Sequence, residues 1–351
     1  MKNNPFSIDF GGSPYIIIPR EPEVKSVIDT FTSVHPSNHI FLIIGARGSG
    51  KTVLMGEMST RLKEDKKWIH IDLSSEGSLL ENLAGSLYQR NKSIFDKVNI
   101  NISVGSVSVS TGVASDSKYQ SIYTDLDLMM EKIAKKNKKL LITIDEINNS
   151  KNIREFTTFF QRCLRNQYPV FLLATGLYKN VKALQNNKSQ TFLKRAPKII
   201  VEPLSIRRIA DRYADIFNLD DKKALQIAKL TCGYSYGFQM LGYLLYNAEK
   251  CEISTSLSRE YRSVLWDNSY DKIWEELSQK EKEILFAVSE QEKNASVLQV
   301  RKLLDMHSGT FSAYKSDFEY SGIFAKDASY GTIKLALPFF REYIQFKKDV
   351  E

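Results

Sequence analysis

Gly45, Gly50, Lys51 and Thr52 lie in the run FLIIGARGSGKT (41–52) with the spacing G-x-x-x-x-G-K-[ST], which closes a backbone loop around phosphate groups. Glycines at 45, 48 and 50 tolerate positive φ and let N–H groups approach phosphate oxygens that a side chain would block. Lys51 adds a point charge for β and γ phosphates, and Thr52 offers a hydroxyl to Mg²⁺. A helix beginning near Lys51 turns its positive end to the anion. The residues expected at a nucleotide are therefore Gly45, Ala46, Arg47, Gly48, Ser49, Gly50, Lys51, Thr52 and Val53.

A second group follows in KLLITIDEI (139–147), an apolar run that ends in Asp145 and Glu146. Asp145 suits Mg²⁺ held through water opposite Thr52, and Glu146 suits orienting and polarising an attacking water. Two adjacent carboxylates concentrate negative charge, which is costly without such a task. Thr175, near the end of YPVFLLATG, could give its hydroxyl to the γ-phosphate or to the water. Arg195, in TFLKRAPKI, reads either as a charge stabiliser for phosphoryl transfer or as a solvated surface arginine.

Strands and helices must carry these residues. Besides 41–44 and 139–147, the runs WIHIDLS (68–74), YPVFLLATG (168–176) and KIIVEPL (198–204) read as buried strands, with helices at 79–95 and 122–135 between them. Five such strands imply an α/β doubly wound parallel sheet with the ligand at the strands' carboxyl ends. VNINISVGSVSVSTG alternates through Val98, Ile100, Ile102 and Val104, then Val107 and Val109, around Gly105-Ser106. That pattern predicts a β-hairpin insertion at about 98–111 with a two-residue type II′ turn. Its apolar face packs on a helix or meets a partner or a neighbouring subunit.

After residue 205 the pattern is helical, at 205–217, 220–231 and 236–247, and then polar through NAEKCEISTSLSRE. Helices at 277–290, 297–304 and 307–324 precede β-like stretches at 323–326 and 332–337, the order of a winged helix-turn-helix. The expected domains are an opening segment 1–24, an α/β nucleotide-binding domain 25–204, a helical lid 205–250, a linker 251–270 and a winged helix domain 271–351.

Composition is that of a globular protein, with 351 residues, 42% hydrophobic and 26% charged. Cys163, Cys232 and Cys251 are too few and too scattered for a disulfide framework or a zinc site. No leader-like run opens the chain, and the apolar stretch 15–18 is too short to span a bilayer, so no membrane is expected and a cytoplasmic setting is. The net charge is +8, but residues 253–351 hold 14 Lys and Arg against 16 Asp and Glu. The excess thus lies in the first 252 residues, and KIAKKNKK (132–139) reads as a solvated helix end or a phosphate-facing run.

The order of phosphate loop, Asp-Glu strand, polar strand end, arginine before the fifth strand, lid and winged helix resembles the AAA+ ATPases. Within them it is similar to the origin-recognition-like and STAND-related group of bacteria and archaea. The opening NPFSIDFGGSPYIIIPREPEV, with Arg20-Glu21, and the stretches TGLYKNVKALQNN, TFLKRAPKI and GYSYGFQMLGY carry the resemblance. It implies ATP between the sheet domain and the lid, with Tyr15 and Arg20 near adenine, Tyr234 and Ser235 at the lid, and Arg195 acting on a neighbouring subunit. CGYSYGF departs from many AAA+ proteins in having no lid cation, and Ser235 stands where STAND relatives often carry proline.

Three readings stay open. One is an ATPase with Mg²⁺ whose nucleotide state governs homo-oligomeric assembly and DNA engagement. In another, a signalling or defence switch, the winged helix docks a protein partner. The third, a small-molecule kinase, leaves the lid and the winged helix without a role. Ser308, Thr310, Ser312, Lys315 and Ser316, with Lys326 and Tyr330 in the wing, are the candidates for DNA contact.

Overall fold

Continuous apolar runs such as IFLII and VFLLATG can satisfy both their backbones and their side chains only as strands covered on two faces. The computed structural model describes residues 4–9, 12, 14–95, 101–104, 107–110, 122–248, 252–291 and 294–351. The chain divides into two compact units. One comprises Arg20–Ile44 and Leu54–Ile199, and the other Met1–Pro19, Gly45–Val53 and Ile200–Glu351.

The first unit carries α1 (Glu21–Thr32), β1 (Ile40–Ile44), most of α2 (Lys51–Lys63), β2 (Trp68–Leu73), α3 (Leu79–Arg90), α4 (Lys92–Phe95), β3 (Asn101–Val104) and β4 (Val107–Ser110). It continues with α5 (Ile122–Lys135), β5 (Lys139–Ile144), α6 (Lys151–Arg165), β6 (Val170–Gly176), α7 (Tyr178–Asn186), a 3-10 segment (Lys188–Arg195) and β7 (Lys198–Ile200). The sheet order is β2-β5-β6-β1-β7, and the pairs β2–β5, β5–β6 and β6–β1 are parallel. This is the five-stranded α/β sheet that the apolar runs imply. Every residue of β1 and β6 is buried. Helix α6 shows how the faces are covered: Ile153, Phe156, Phe159, Phe160 and Cys163 form its buried stripe, and the Ser150 side chain caps it by accepting from Ile153 N–H.

Register brings the strand ends level, with Ile144 opposite Ala174 and Ile43 opposite Thr175. Strands neighbour one another at about 4.8 Å, so the ends of β1 and β5, with β6 between them, stand roughly 10 Å apart. Several boundaries differ from expectation, among them β5, which ends at Ile144, and the helix expected at 307–324, which ends at Tyr320. The helix expected at 79–95 breaks at Asn91 into α3 and α4, and β7 stops at Ile200. In the insertion, β3 and β4 pair antiparallel with Val104 opposite Val107. The turn at Gly105-Ser106 lies outside the described residues, as do 98–100 and 111.

The second unit is helical apart from a small wing. It contains α8 (Ile206–Phe217), α9 (Asp221–Lys229), α10 (Ser235–Asn247), α11 (Thr255–Leu265), a π-helical turn (Trp266–Tyr270), α12 (Asp271–Glu275) and α13 (Gln279–Ser289). β8 (Ala295–Ser296), α14 (Val297–Leu303), α15 (Ser308–Tyr320), β9 (Thr332–Ile333) and α16 (Phe340–Val350) complete it. β8 pairs antiparallel with β9, and Phe324 bridges Leu335, so α13, α14, α15 and these short strands follow the winged-helix order. In the stretch expected as a linker, 251–270, the described residues carry α11 and the π turn. Leu257 inside the polar stretch and Tyr261 and Leu265 just after it recur at helical spacing and are buried. The closing helix α16 was not foreseen; it buries Phe340, Tyr343 and Ile344. The opening segment belongs to this unit through Phe6, whose ring lies 5.7 Å from that of Phe238 and 6.0 Å from that of Tyr213. Among the described residues no helix is long and apolar enough to cross a membrane.

Candidate functional site

Ile44 ends β1, and the chain passes directly into the loop Gly45–Gly50 that starts α2. Gly48 has φ +72° and Gly50 φ +93°, conformations that side-chain-bearing residues rarely adopt. Ser49 N–H closes a turn on Ala46 O at 3.2 Å, whereas the N–H groups of Gly48 and Gly50 have no partner among the described residues. The Ser49 hydroxyl is buried, with no hydrogen-bond partner among the described residues. Lys51 is 9% exposed, and its ammonium donates to Ala46 O at 2.8 Å and Gly45 O at 3.2 Å.

The lid helices of the same unit reach this loop. Tyr234 Oη donates to Arg47 O at 2.7 Å, the Ser235 hydroxyl to Ser49 O at 2.7 Å, and Tyr236 N–H to Gly48 O at 3.0 Å. Burial pushes the Tyr234 phenol well above the usual tyrosine range, so it remains a donor. Parts of the winged-helix region also meet the loop. Glu276 pairs with Arg47 at 2.8 Å, and a Cβ on Gly322 would lie 3.1 Å from that of Ala46. Tyr234 and Ser235 were expected at the lid; the contacts of Tyr236, Glu276 and Gly322 were not. No local signal could have given them, because each partner lies more than a hundred residues from the loop.

In the first unit the expected acidic pair forms its own cluster. Thr175 is fully buried; its hydroxyl donates to the Asp145 carboxylate and accepts from Glu146 N–H at 3.0 Å. The one hydroxyl proton of Thr175 thus goes to Asp145, a supporting role the sequence did not indicate. Asp145 is half-buried, while Glu146 is exposed and has φ +55°. Next to them, Thr143 donates to Asp72 Oδ1 at 2.5 Å and lies 2.9 Å from His70 Nε2. With that proton committed, His70 donates from Nε2. Burial holds its pKa down at about 4, so the ring is neutral at pH 7. This network ties β2 to β5 just before the acidic pair.

The remaining expected residues are placed as follows. Thr52 and Val53 are half-buried in the first turn of α2. Arg195 is exposed at the end of the 3-10 segment. Arg20 lies 3.9 Å from Glu23 on α1. Tyr15, expected beside adenine, is 93% exposed; the opening segment buries Phe6 and Ile18.

A polyphosphate fits the loop's donor set, which combines two unpartnered amides, a buried hydroxyl, a buried ammonium and the start of α2. Oxygen donors of the kind that Mg²⁺ takes are present on Thr52 in the second unit and, separately, on Asp145 in the first. Among the described residues no group of three His, Cys, Asp or Glu forms a metal cage of its own.

No family model matches the sequence. No curated protein matches it either. Solved structures do. A Walker-type ATPase of Pyrococcus abyssi superposes with a TM-score of 0.61 at 16% identity, over 94% of this chain and 96% of that one. The ORC2 protein of Aeropyrum pernix, in ADPNP and ADP complexes, gives 0.58 at 14% identity over 98% of both chains. At such identities the likeness is one of fold, a five-stranded α/β sheet followed by helices and a small wing.

Proposed function

We propose that this chain, built on the fold of P-loop ATPases, binds and hydrolyses ATP with Mg²⁺ and uses its nucleotide state to control self-assembly and DNA engagement. The loop carries this reading: it holds unpartnered amides at Gly48 and Gly50 beside the buried Lys51 ammonium. Lys51 neutralises the outer phosphates, Thr52 and Asp145 provide for the metal, and Glu146 polarises the water. Mg²⁺, when bound, would supply charge neutralisation for the phosphates. Turnover is slow without a partner, since CGYSYGF offers no lid cation. Phosphate release from MgATP by the purified chain, with and without duplex DNA, tests the reading; neither binding nor release under any condition would overturn it.

Arg195 is exposed at the close of its 3-10 segment and is proposed to act on a neighbouring subunit's nucleotide. Arg195→Ala leaves ATP affinity near the parent value and lowers turnover by about tenfold or more. Mixing it with Glu146→Gln restores part of the activity, because some interfaces then pair an intact arginine with an intact carboxylate. No recovery at any mixing ratio of proteins shown to assemble would sink the trans role.

Two ion pairs favour a second reading, in which the winged helix docks a protein. Lys315 pairs with Glu319, and Lys326 with Glu202 at 2.6 Å, so both lysines nominated for phosphate contact already face carboxylates. If DNA is nonetheless the partner, Lys315→Glu and Lys326→Glu each weaken binding severalfold, and parent affinity falls steeply with salt. The check is a titration of the ATP-bound chain with duplex DNA at two salt concentrations. Equal binding by parent and double variant, insensitive to nucleotide, supports the docking role.

A further inference from the structure

Three consecutive residues at the start of α10 donate to three consecutive loop carbonyls: Tyr234 to Arg47, Tyr236 to Gly48 and Ser235 to Ser49. A trans peptide sets its C=O and the following N–H on opposite sides, and no cis bond occurs among the described residues. Holding the Arg47 and Ser49 carbonyls on the lid therefore prevents those two peptides from flipping. A flip would turn a carbonyl, in place of the Gly48 or Gly50 N–H, towards an anion in the loop. Glycine readily makes such flips, and both peptides contain one. Tyr234 is well placed to resist them. Its ring is buried, and its hydroxyl also shares a 2.6 Å hydrogen bond with Ser269 in the π turn. A Cβ on Gly48 would come within 2.3 Å of the Tyr234 hydroxyl oxygen, so loop and phenol are closely fitted.

We infer that Tyr234 and Ser235 are positioning residues for a nucleoside polyphosphate, their hydroxyls fixing the loop peptides that present the Gly48 and Gly50 amides. The inference rests on the nucleotide reading above. It explains the use of serine at 235, since a proline there has no hydroxyl to give to Ser49. Preoriented amides need no reorganisation when phosphate arrives, so losing a lid hydroxyl appears as weaker phosphate binding.

The test titrates ADP, and separately inorganic pyrophosphate, into the full chain by calorimetry. Tyr234→Phe raises both dissociation constants about tenfold, and Ser235→Ala raises both about threefold, the range for one lost neutral hydrogen bond at a buried carbonyl. Tyr213→Phe is the control. It removes another buried phenol-to-carbonyl bond of the same unit, to Phe238 O at 2.7 Å, and lowers the thermal midpoint without moving either constant. Parent-like affinity in both lid variants, or an equal loss in Tyr213→Phe, overturns the positioning role. Should Tyr234→Phe not fold, Ser235→Ala decides alone. A parent chain that binds neither ADP nor pyrophosphate overturns the nucleotide reading itself, whereas parent-like binding by the variants leaves that reading intact.

Discussion

Lys51→Ala abolishes nucleotide binding, raising the dissociation constant for ATP more than about a hundredfold. A charge-assisted hydrogen bond contributes roughly 1.5–3 kcal/mol, and an ammonium between two phosphates makes more than one. The side chain is already buried and held by the Gly45 and Ala46 carbonyls, so little ordering is left for binding to impose. Its removal leaves the amides of Gly48 and Gly50 in place, which separates charge from cradle. AMP, which lacks the outer phosphates, therefore discriminates between the variants less than ATP does. Calorimetry with ATP and AMP checks the result, with thermal unfolding of the ligand-free protein to show that the variant is folded. An ATP constant within threefold of the parent would remove Lys51 from the phosphate site.

The parts of this site that are legible in sequence are those whose physics is local. Loop spacing, strand-ending carboxylates and unbroken apolar runs each depend on residues a few positions apart. They led to β1, β5 and β6 and to Gly45–Thr52 without further information. Contacts made across the chain are a different matter. Nothing near Arg47 points to Glu276, and nothing near Gly48 points to Tyr236, because tertiary packing alone joins them. Ser235 illustrates the limit well. From the resemblance it reads as a missing proline, whereas its hydroxyl holds the Ser49 carbonyl. Thr175 has the same lesson: a hydroxyl at a strand end invites a ligand, yet its proton goes to Asp145. Helix α11 was hidden for another reason. Its apolar residues, Leu257, Tyr261 and Leu265, are spaced so widely among Ser, Arg and Glu that mean polarity masked the period.

Glu146→Gln keeps ATP binding and stops turnover. Glu146 occupies a left-handed conformation, φ +55°, that a side-chain-bearing residue adopts at a cost, and its N–H is pinned to the Thr175 hydroxyl at 3.0 Å. Such a restraint fixes where the backbone of residue 146 starts its side chain, just past the end of β5. Glutamine has the same shape and can take the same backbone, so the cluster with Thr175 and Asp145 is retained. What it loses is the ability to accept a proton from water. General-base assistance contributes about 10²–10⁴-fold, so kcat falls by at least a hundredfold while the dissociation constant for ATP stays within about twofold. Removing one of two adjacent negative charges relieves repulsion with the triphosphate, which pushes any residual change towards tighter binding. Phosphate release and ATP titration on the same preparation measure both quantities. A Gln variant that hydrolyses ATP at the parent rate would show that another group activates the water.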